Sequence, residues 1–215
     1  MTEVRVVPTP HGEARLHVDR SRHPIATLLL NHGAGGGVES QDLVALAREL
    51  PREGVTVIRV EQPWKVAGKR VAPRPSVLDE CLVAATNAMR TRTPLVVGGR
   101  SAGARTAART ADQLGASGCL ALAFPLHPPG KPDRSRLGEL EAVPLPTLVV
   151  QGERDPFGRP EEFPDDRDLA VVPGADHGFK VAKRGDITQT EALTIIVEAA
   201  LEWIVREIVG NRTAV

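Results

Sequence analysis

Continuous apolar runs alternate along the chain with segments whose apolar residues recur at helical spacing. Residues 25–30 form an unbroken apolar run, which is typical of a strand buried on both faces. Residues 13–19 alternate weakly, as a half-exposed strand does. Within 39–50, Leu43 and Leu46 are spaced to share one face of a helix, with acidic residues in the first turn and a proline directly after the segment.

The same alternation continues to the C-terminal end. It predicts a strand at 55–60, a helix at 76–92, a strand at 95–98, a helix at 101–114, a strand at 118–123, a short helix at 136–142, strands at 147–151 and 168–172, and a helix at 189–209. Such alternation builds right-handed βαβ units, and these give a doubly wound, mostly parallel sheet with helices on both faces. No repeat or linker interrupts it, so we expect residues 1–215 to form one α/β domain.

Composition narrows the possible partners. The chain is 41% hydrophobic and 25% charged, as folded soluble domains are. Its 27 Lys and Arg residues balance 27 Asp and Glu residues, so the global charge signature of a nucleic-acid binder or a polybasic membrane-surface protein is missing. Neither a membrane-spanning run nor the pattern of a secretory leader is present in the sequence. We predict a cytoplasmic protein without nucleic-acid or membrane partners; the sequence does not indicate the oligomeric state.

Metal and nucleotide cofactors are not expected either. Cys81 and Cys119 are isolated, with no neighbouring Cys or His at the spacing of a zinc site or redox pair. The glycine run 33–37 departs from the dinucleotide-binding pattern at Val38. Gly98 and Gly103 have the spacing of a phosphate-binding loop, but Ala104 stands where that pattern requires lysine.

One motif points to nucleophilic catalysis. Gly99-Arg100-Ser101-Ala102-Gly103 follows an apolar, strand-like run and precedes an Ala-rich, helix-compatible segment. This is the GxSxG pattern in the strand-turn-helix setting that it requires. The turn is sharp, so small residues are needed two positions to either side, and it raises the serine hydroxyl above the sheet. The alternative interpretation is a Gly-Ser turn in which Ser101 only begins an ordinary helix.

A serine nucleophile needs a histidine base and a carboxylate, and in this topology the chain order is Ser, acid, His. His127 precedes the expected acid, whereas His177 follows the last short strand, so we predict His177 as the base. Glu153 and Asp155 both follow the run 147–150. Asp155 is preferred because the next residue is proline, which favours an extended or turn conformation. Asp176 is a weaker competitor, since adjacent side chains rarely point at each other.

The oxyanion of an acyl-transfer intermediate requires backbone N–H donors near the nucleophile. The residue after the nucleophile, Ala102, supplies one donor. The glycine run after the strand 25–30 supplies the other, which we assign to Ala34, with Gly33 and Gly35 as alternatives. We expect His32 to brace this loop through a ring hydrogen bond.

Two Pro- and Gly-rich stretches, 61–75 and 124–135, follow strands and therefore lie where ligands bind in open α/β sheets. Each stretch contains an aromatic residue, Trp64 in the first and Phe124 in the second, which either forms a wall of the pocket or packs against its own loop. Arg100 and Arg105 flank the nucleophile, where they could bind an anionic group or be paired at the surface. The candidate substrate contacts are Gly35, Trp64, Arg100 and Phe124.

Four segments carry a family resemblance: HGAGGG, GGRSAG, GERDPFG and GADHGF. With them, nearly the whole chain resembles the α/β-hydrolase superfamily. Its small size and GGRSAG are similar to the cap-less, dienelactone-hydrolase-like branch, nearest the group containing testis-expressed protein 30. The resemblance implies a serine hydrolase that uses Ser101, Asp155 and His177 without metal or organic cofactor. Dienelactone hydrolases use a cysteine nucleophile, so their substrate is not carried over.

These observations favour a small-substrate carboxylesterase or related acyl hydrolase acting on a small-molecule ester or acyl compound. Short connections leave no room for a lid, which disfavours a long-chain lipase. Acyl transfer, thioester hydrolysis or peptide hydrolysis at the same site is one alternative. A non-catalytic interaction module with the hydrolase fold is the other.

Overall fold

An eight-stranded sheet forms the centre of the molecule. The computed structural model describes residues 2–210. The strands are β1 (Glu3–Thr9), β2 (Gly12–Asp19), β3 (Ala26–Asn31), β4 (Val55–Glu61), β5 (Leu95–Arg100), β6 (Gly118–Leu122), β7 (Thr147–Gly152) and β8 (Asp168–Val172). They are ordered β1-β2-β4-β3-β5-β6-β7-β8. Strands β3 to β8 are parallel to one another, and β2 alone runs against them, since it pairs antiparallel with both β1 and β4. The predicted mostly parallel sheet is confirmed.

Helices connect the strands. They are α1 (Gln41–Glu49), α2 (Pro63–Val66), α3 (Pro75–Asn87), α4 (Ala102–Thr110), α5 (Leu137–Glu141) and α6 (Gln189–Trp203). The last of these continues as a wider π-helical turn over Ile204–Val209. Short 3-10 turns occupy Leu50–Glu53, Pro132–Arg134 and Pro160–Glu162. No insertion large enough for a lid domain interrupts this succession within residues 2–210.

Each face of the sheet carries its own hydrophobic core. Leu29 of β3 points to one face, where residues of α3 and α4 such as Leu82 and Ala107 pack. Its neighbours in β3 point to the other face, where α1 and α6 supply Leu46 and Trp203. Every residue of β3 is buried, which explains why this strand is an unbroken apolar run in the sequence.

Three elements differ from the sequence prediction, and one of them is the short helix α2, which lies in the Pro-rich stretch 61–75 where no helix is predicted. Strand β1 is not predicted, because Val7 is its only buried residue and the strand therefore lacks the alternation that marks a sheet face. Helix α3 ends at Asn87 rather than at 92. The helix ends at two weak helix formers, Thr86 and Asn87, and Thr93 reaches β3, where its hydroxyl lies 2.8 Å from that of Thr27.

Candidate functional site

The carboxyl ends of three neighbouring strands bring the predicted catalytic residues together. Ser101 follows β5, Asp155 lies three residues beyond β7, and His177 lies in the loop after β8. These strands are parallel and separated only by β6. Residues distant in sequence therefore meet at one edge of the sheet, where open α/β folds bind their ligands.

Ser101 occupies a strained turn between β5 and α4. Its backbone has φ 54° and ψ −115°, a region that L-residues rarely adopt. Glycines at 99 and 103 make the turn possible: a Cβ at Gly99 would lie 2.6 Å from the Asn31 carbonyl oxygen, and one at Gly103 would lie 2.7 Å from that of His32. This is the geometry by which a nucleophile is lifted from a sheet.

A continuous hydrogen-bonded line joins the three side chains. His177 Nε2 lies 2.9 Å from Ser101 Oγ, and His177 Nδ1 lies 2.7 Å from Asp155 Oδ2. With the imidazole neutral, Nδ1–H donates to the carboxylate and Nε2 is free to accept the serine proton. The arrangement can activate a hydroxyl as a nucleophile.

Asp155 is fully buried and its carboxylate is well satisfied. Oδ1 accepts from the Phe157 N–H at 2.8 Å, and Oδ2 also accepts from Gln151 Nε2 at 3.0 Å. The competing carboxylates serve the backbone instead. Glu153 accepts from Gly174 N–H at 2.6 Å, and Asp176 Oδ1 accepts from Gly178 N–H at 2.7 Å.

Two contacts around the triad are not predicted from sequence. Gln151 at the end of β7 donates to Asp155 and also to the Gly158 carbonyl, which ties the acid to its loop. The ring of Phe157 stacks on His177, with centroids 4.2 Å apart and planes inclined by 29°. Phe157 lies two residues beyond Asp155, but nothing in the motif marks it, because the stacking partner comes from another loop.

The glycine loop after β3 lies directly against the nucleophile. A Cβ at Gly33 would be 3.3 Å from Ser101 Cβ, and the next residues, Ala34 and Gly35, are exposed. Ala102 is the first residue of α4, so its N–H has no helical partner. Both N–H groups assigned to the oxyanion hole thus belong to segments that border Ser101, and this assignment stays a prediction.

His32 braces the glycine loop as expected. Its Nδ1 lies 2.9 Å from the Gly33 carbonyl oxygen, and Nε2 accepts from Gln62 N–H at 3.1 Å. Burial lowers the pKa of His32, so the ring stays neutral in this role. The other downstream histidine, His127, lies 2.8 Å from Glu162 Oε2 and links two surface loops outside the triad.

Three of the predicted substrate contacts are buried or engaged within the protein. Phe124 is fully buried in the core, because it turns inward directly after β6. Trp64 is also buried and contacts His32, with ring centroids 5.6 Å apart. It lines a cavity of about 290 Å³ with His11 and Cys81, and no triad residue lines this cavity.

The third is Arg100, whose guanidinium is engaged within the protein. Its Nη2 donates to the His177 carbonyl oxygen at 2.6 Å, and its Nε lies 3.2 Å from Asp42 Oδ2. These contacts engage Nη2 and Nε within the protein, and a substrate contact of Arg100 stays a prediction. Arg105 is likewise paired, with both oxygens of the Glu139 carboxylate. Of the four candidates, only Gly35 remains open to a ligand.

Between residues 2 and 210, no group of three or more His, Cys, Asp or Glu side chains is placed to hold a metal ion. No helix among these residues has the length and apolar character needed to cross a membrane.

Comparison with known proteins defines the class. A family profile described as an alpha/beta hydrolase domain matches residues 24–205, and the chain belongs to this family. No curated protein sequence matches the chain. The prediction of an α/β-hydrolase fold is confirmed; the narrower grouping with testis-expressed protein 30 stays a prediction.

Solved structures share the fold at low sequence identity. XC6422 from Xanthomonas campestris, described as an α/β serine hydrolase without lid, is 20% identical, with TM-score 0.73 and 94% of each chain covered. Dienelactone hydrolase from Anabaena variabilis is 18% identical, with TM-score 0.73 and coverage of 96% of this chain and 98% of that one. Est1E from Butyrivibrio proteoclasticus, described with ferulic acid bound, is 16% identical, with TM-score 0.71 and coverage of 93% and 99%. The match with XC6422 agrees with the expected absence of a cap.

Proposed function

We propose that the protein is a serine hydrolase that cleaves small-molecule carboxylic esters or related acyl compounds. The observation that carries the proposal is the line Asp155–His177–Ser101, with hydrogen-bond distances of 2.7 and 2.9 Å and the serine on a strained strand-to-helix turn. The strained backbone at Ser101 costs of order 1–3 kcal/mol, and a structural serine needs neither this turn nor a histidine–carboxylate pair. The esterase-like names among the structural neighbours are consistent with this reaction class.

The reaction begins when Ser101 Oγ attacks the acyl carbonyl carbon while His177 Nε2 takes the hydroxyl proton. The carbonyl π electrons move to oxygen, and the Ala102 and Ala34 N–H groups stabilise the resulting oxyanion. The tetrahedral intermediate collapses as His177 returns the proton to the leaving alcohol. Water then attacks the acyl-enzyme by the same route, which releases the acid and restores Ser101.

Asp155 keeps the imidazole in its productive form throughout. By accepting from Nδ1–H it leaves Nε2 unprotonated before attack, and it stabilises the imidazolium that forms afterwards. Gln151 and the Phe157 N–H hold the carboxylate still for this purpose. No metal or organic cofactor takes part in the proposed reaction.

The decisive experiment is intact-mass analysis after treatment with a fluorophosphonate, because this probe reports an activated serine without knowledge of the substrate. We expect one adduct, on Ser101, in the wild type and none in Ser101→Ala or His177→Ala. The same variants should lose ester turnover by about 10⁶-fold, the loss seen when triads act as a unit. A folded wild-type protein that takes no adduct would contradict the proposal and bring forward the interaction module.

A second candidate reaction is acyl transfer to an acceptor other than water. It is distinguished by adding alcohols or amines to an active preparation and measuring transfer product against free acid. Dominant transfer at modest acceptor concentration would reassign the enzyme as an acyltransferase while keeping the same nucleophile. Thioester and peptide substrates belong in the same screen.

A further inference from the structure

The loop that carries His177 is held by side chains at three consecutive backbone carbonyls. Arg100 Nη2 donates to the His177 carbonyl at 2.6 Å, and Gln41 Nε2 donates to the Gly178 carbonyl at 2.8 Å. Gln189 Nε2 donates to the Phe179 carbonyl at 2.8 Å. The donors come from β5, α1 and α6, so three elements converge on one short segment. We call this set of three donors the carbonyl clamp.

Arg100 is the member closest to the chemistry. It directly precedes Ser101, so one residue's backbone leads to the nucleophile while its side chain holds the backbone of the base. Its side chain is only 13% exposed. A Cβ at Gly33 would lie 3.6 Å from its Nη1, which places the guanidinium beside the glycine loop as well. The guanidinium of Arg100 therefore lies next to the nucleophile, the loop of the base and the glycine loop at once.

The charge of Arg100 is balanced by a carboxylate behind the site. Asp42 is buried in the first turn of α1, with Oδ2 3.2 Å from Arg100 Nε. Burial raises the pKa of Asp42, and Arg100 acts in the opposite direction. Breaking such a pair would leave the other charge buried and uncompensated, which is strongly unfavourable. Arg100 Nε and the Asp42 oxygens make no aligned hydrogen bond, so the pair keeps the guanidinium near the site by charge, and the bond of Nη2 to the His177 carbonyl orients it.

We propose that Arg100, held by Asp42 and assisted by Gln41 and Gln189, is a positioning residue that sets the alignment of His177 with Ser101. This inference rests on the proposed function. In this role Arg100 does not contact the substrate, whereas the sequence alone also permits an anion-binding substrate contact. Because the base is displaced when its backbone moves, loss of the clamp should slow the chemical step without weakening substrate binding.

The test compares Arg100→Met, Arg100→Lys and Asp42→Asn for kcat, KM and the rate of fluorophosphonate labelling. We expect Arg100→Met to lower kcat and the labelling rate together by about 10- to 100-fold, since a misplacement near 1 Å costs on the order of 10². KM should stay unchanged for neutral and anionic esters alike. Arg100→Lys should recover part of the loss, because an ammonium can donate to the His177 carbonyl but cannot also span to Asp42.

Arg109→Met is the matched control. Arg109 lies on α4 and is paired with Asp79 through two hydrogen bonds of 2.7 and 2.8 Å, so its loss also breaks a half-buried ion pair. It does not belong to the clamp. We expect this variant to lose stability but keep the wild-type kcat. Gln41→Ala and Gln189→Ala, each removing one donor, should give smaller falls in kcat and remain measurable if Arg100→Met does not fold.

The outcomes separate the two proposals. A rise in KM for anionic esters alone, with kcat unchanged, would return Arg100 to substrate binding and overturn the inference. Wild-type kcat per labelled site in Arg100→Met would overturn it too. If the wild type neither labels nor cleaves esters, the proposed function fails, but the Nδ1–H proton resonance of His177 still tests the clamp. It should shift or broaden in Arg100→Met and stay in place in Arg109→Met; no change in either variant would overturn the inference.

Discussion

Two carboxylates follow β7, and their surroundings distinguish them. Asp155 is fully buried and contacts the imidazole of His177, whereas the exposed Glu153 accepts a hydrogen bond from the Gly174 backbone. The sequence offers both as acids, and only local features, the following proline and the earlier place of Glu153 in the turn, favour Asp155. The choice depends on where the loops after β7 and β8 meet, which is a tertiary property.

Asp155→Asn should lower kcat by about 10⁴-fold, because an amide in this place favours the wrong imidazole tautomer. Glu153→Gln should leave kcat unchanged and cost a little stability through its weakened bond to Gly174. Steady-state kinetics on the two purified variants, beside their thermal unfolding midpoints, provide the measurement. Equal losses of kcat in both would mean that the acid has been assigned wrongly.

At the scale of elements, the contact between α4 and β3 determines whether the nucleophile turn can form. Gly103 is the second residue of α4, where the helix backbone meets the carbonyls of Asn31 and His32 at the end of β3. Those are backbone atoms, so a side chain at 103 cannot be accommodated by a rotamer change. The close approach holds the glycine loop of β3 next to Ser101.

Gly103→Ala should destabilise the protein by about 3 kcal/mol or more, above the usual cost of overpacking, because backbone must move. Gly138→Ala is the control: Gly138 lies in α5 with open space around it. There the same substitution should stabilise by about 0.5–1 kcal/mol, since glycine is unfavourable in a helix. Urea unfolding of both variants gives the comparison, and a similar change in both would refute the close-contact argument.

At the scale of the whole molecule, the sequence predicts most clearly the strands that are buried on both faces of the sheet. Strands β3 to β7 are almost wholly buried, and their apolar runs predict them. Strand β1 lies at the sheet edge, and its apolar pattern is too weak to predict a strand. In the site, the sequence predicts the GxSxG turn as a local motif and the triad from its chain order. It does not predict the roles of Phe157, Gln41 and Asp42, because these exist only where separate elements touch.

The two cysteines offer a test of how the whole molecule opens. Cys119 lies in β6 at the centre of the sheet, and burial raises the pKa of its thiol to about 12. Cys81 lies in α3, next to the cavity that Trp64 lines. At neutral pH the Cys119 thiol is neutral and shielded, so it should react only when the chain unfolds globally. Cys81 should react sooner, through local opening at the β1 edge.

Thiol-labelling rates measured across a urea series check this order. The Cys81→Ser variant reports on Cys119, and the Cys119→Ala variant reports on Cys81. The rate at Cys119 should follow the global unfolding equilibrium, and the rate at Cys81 should depend less on urea. If Cys119 reacts as fast as Cys81 in the native protein, the centre of the sheet is less protected than its burial indicates.

At residue 101, folding stability and chemical reactivity favour different amino acids. Its conformation costs of order 1–3 kcal/mol for any residue with a side chain, and glycine, which stands two places to either side, would adopt it most readily. The chain instead carries a serine at a position where folding stability alone would favour glycine. An inert version of this protein would thus be the easier one to fold, and the reactive one persists only because the packing around residue 101 leaves the turn no other shape.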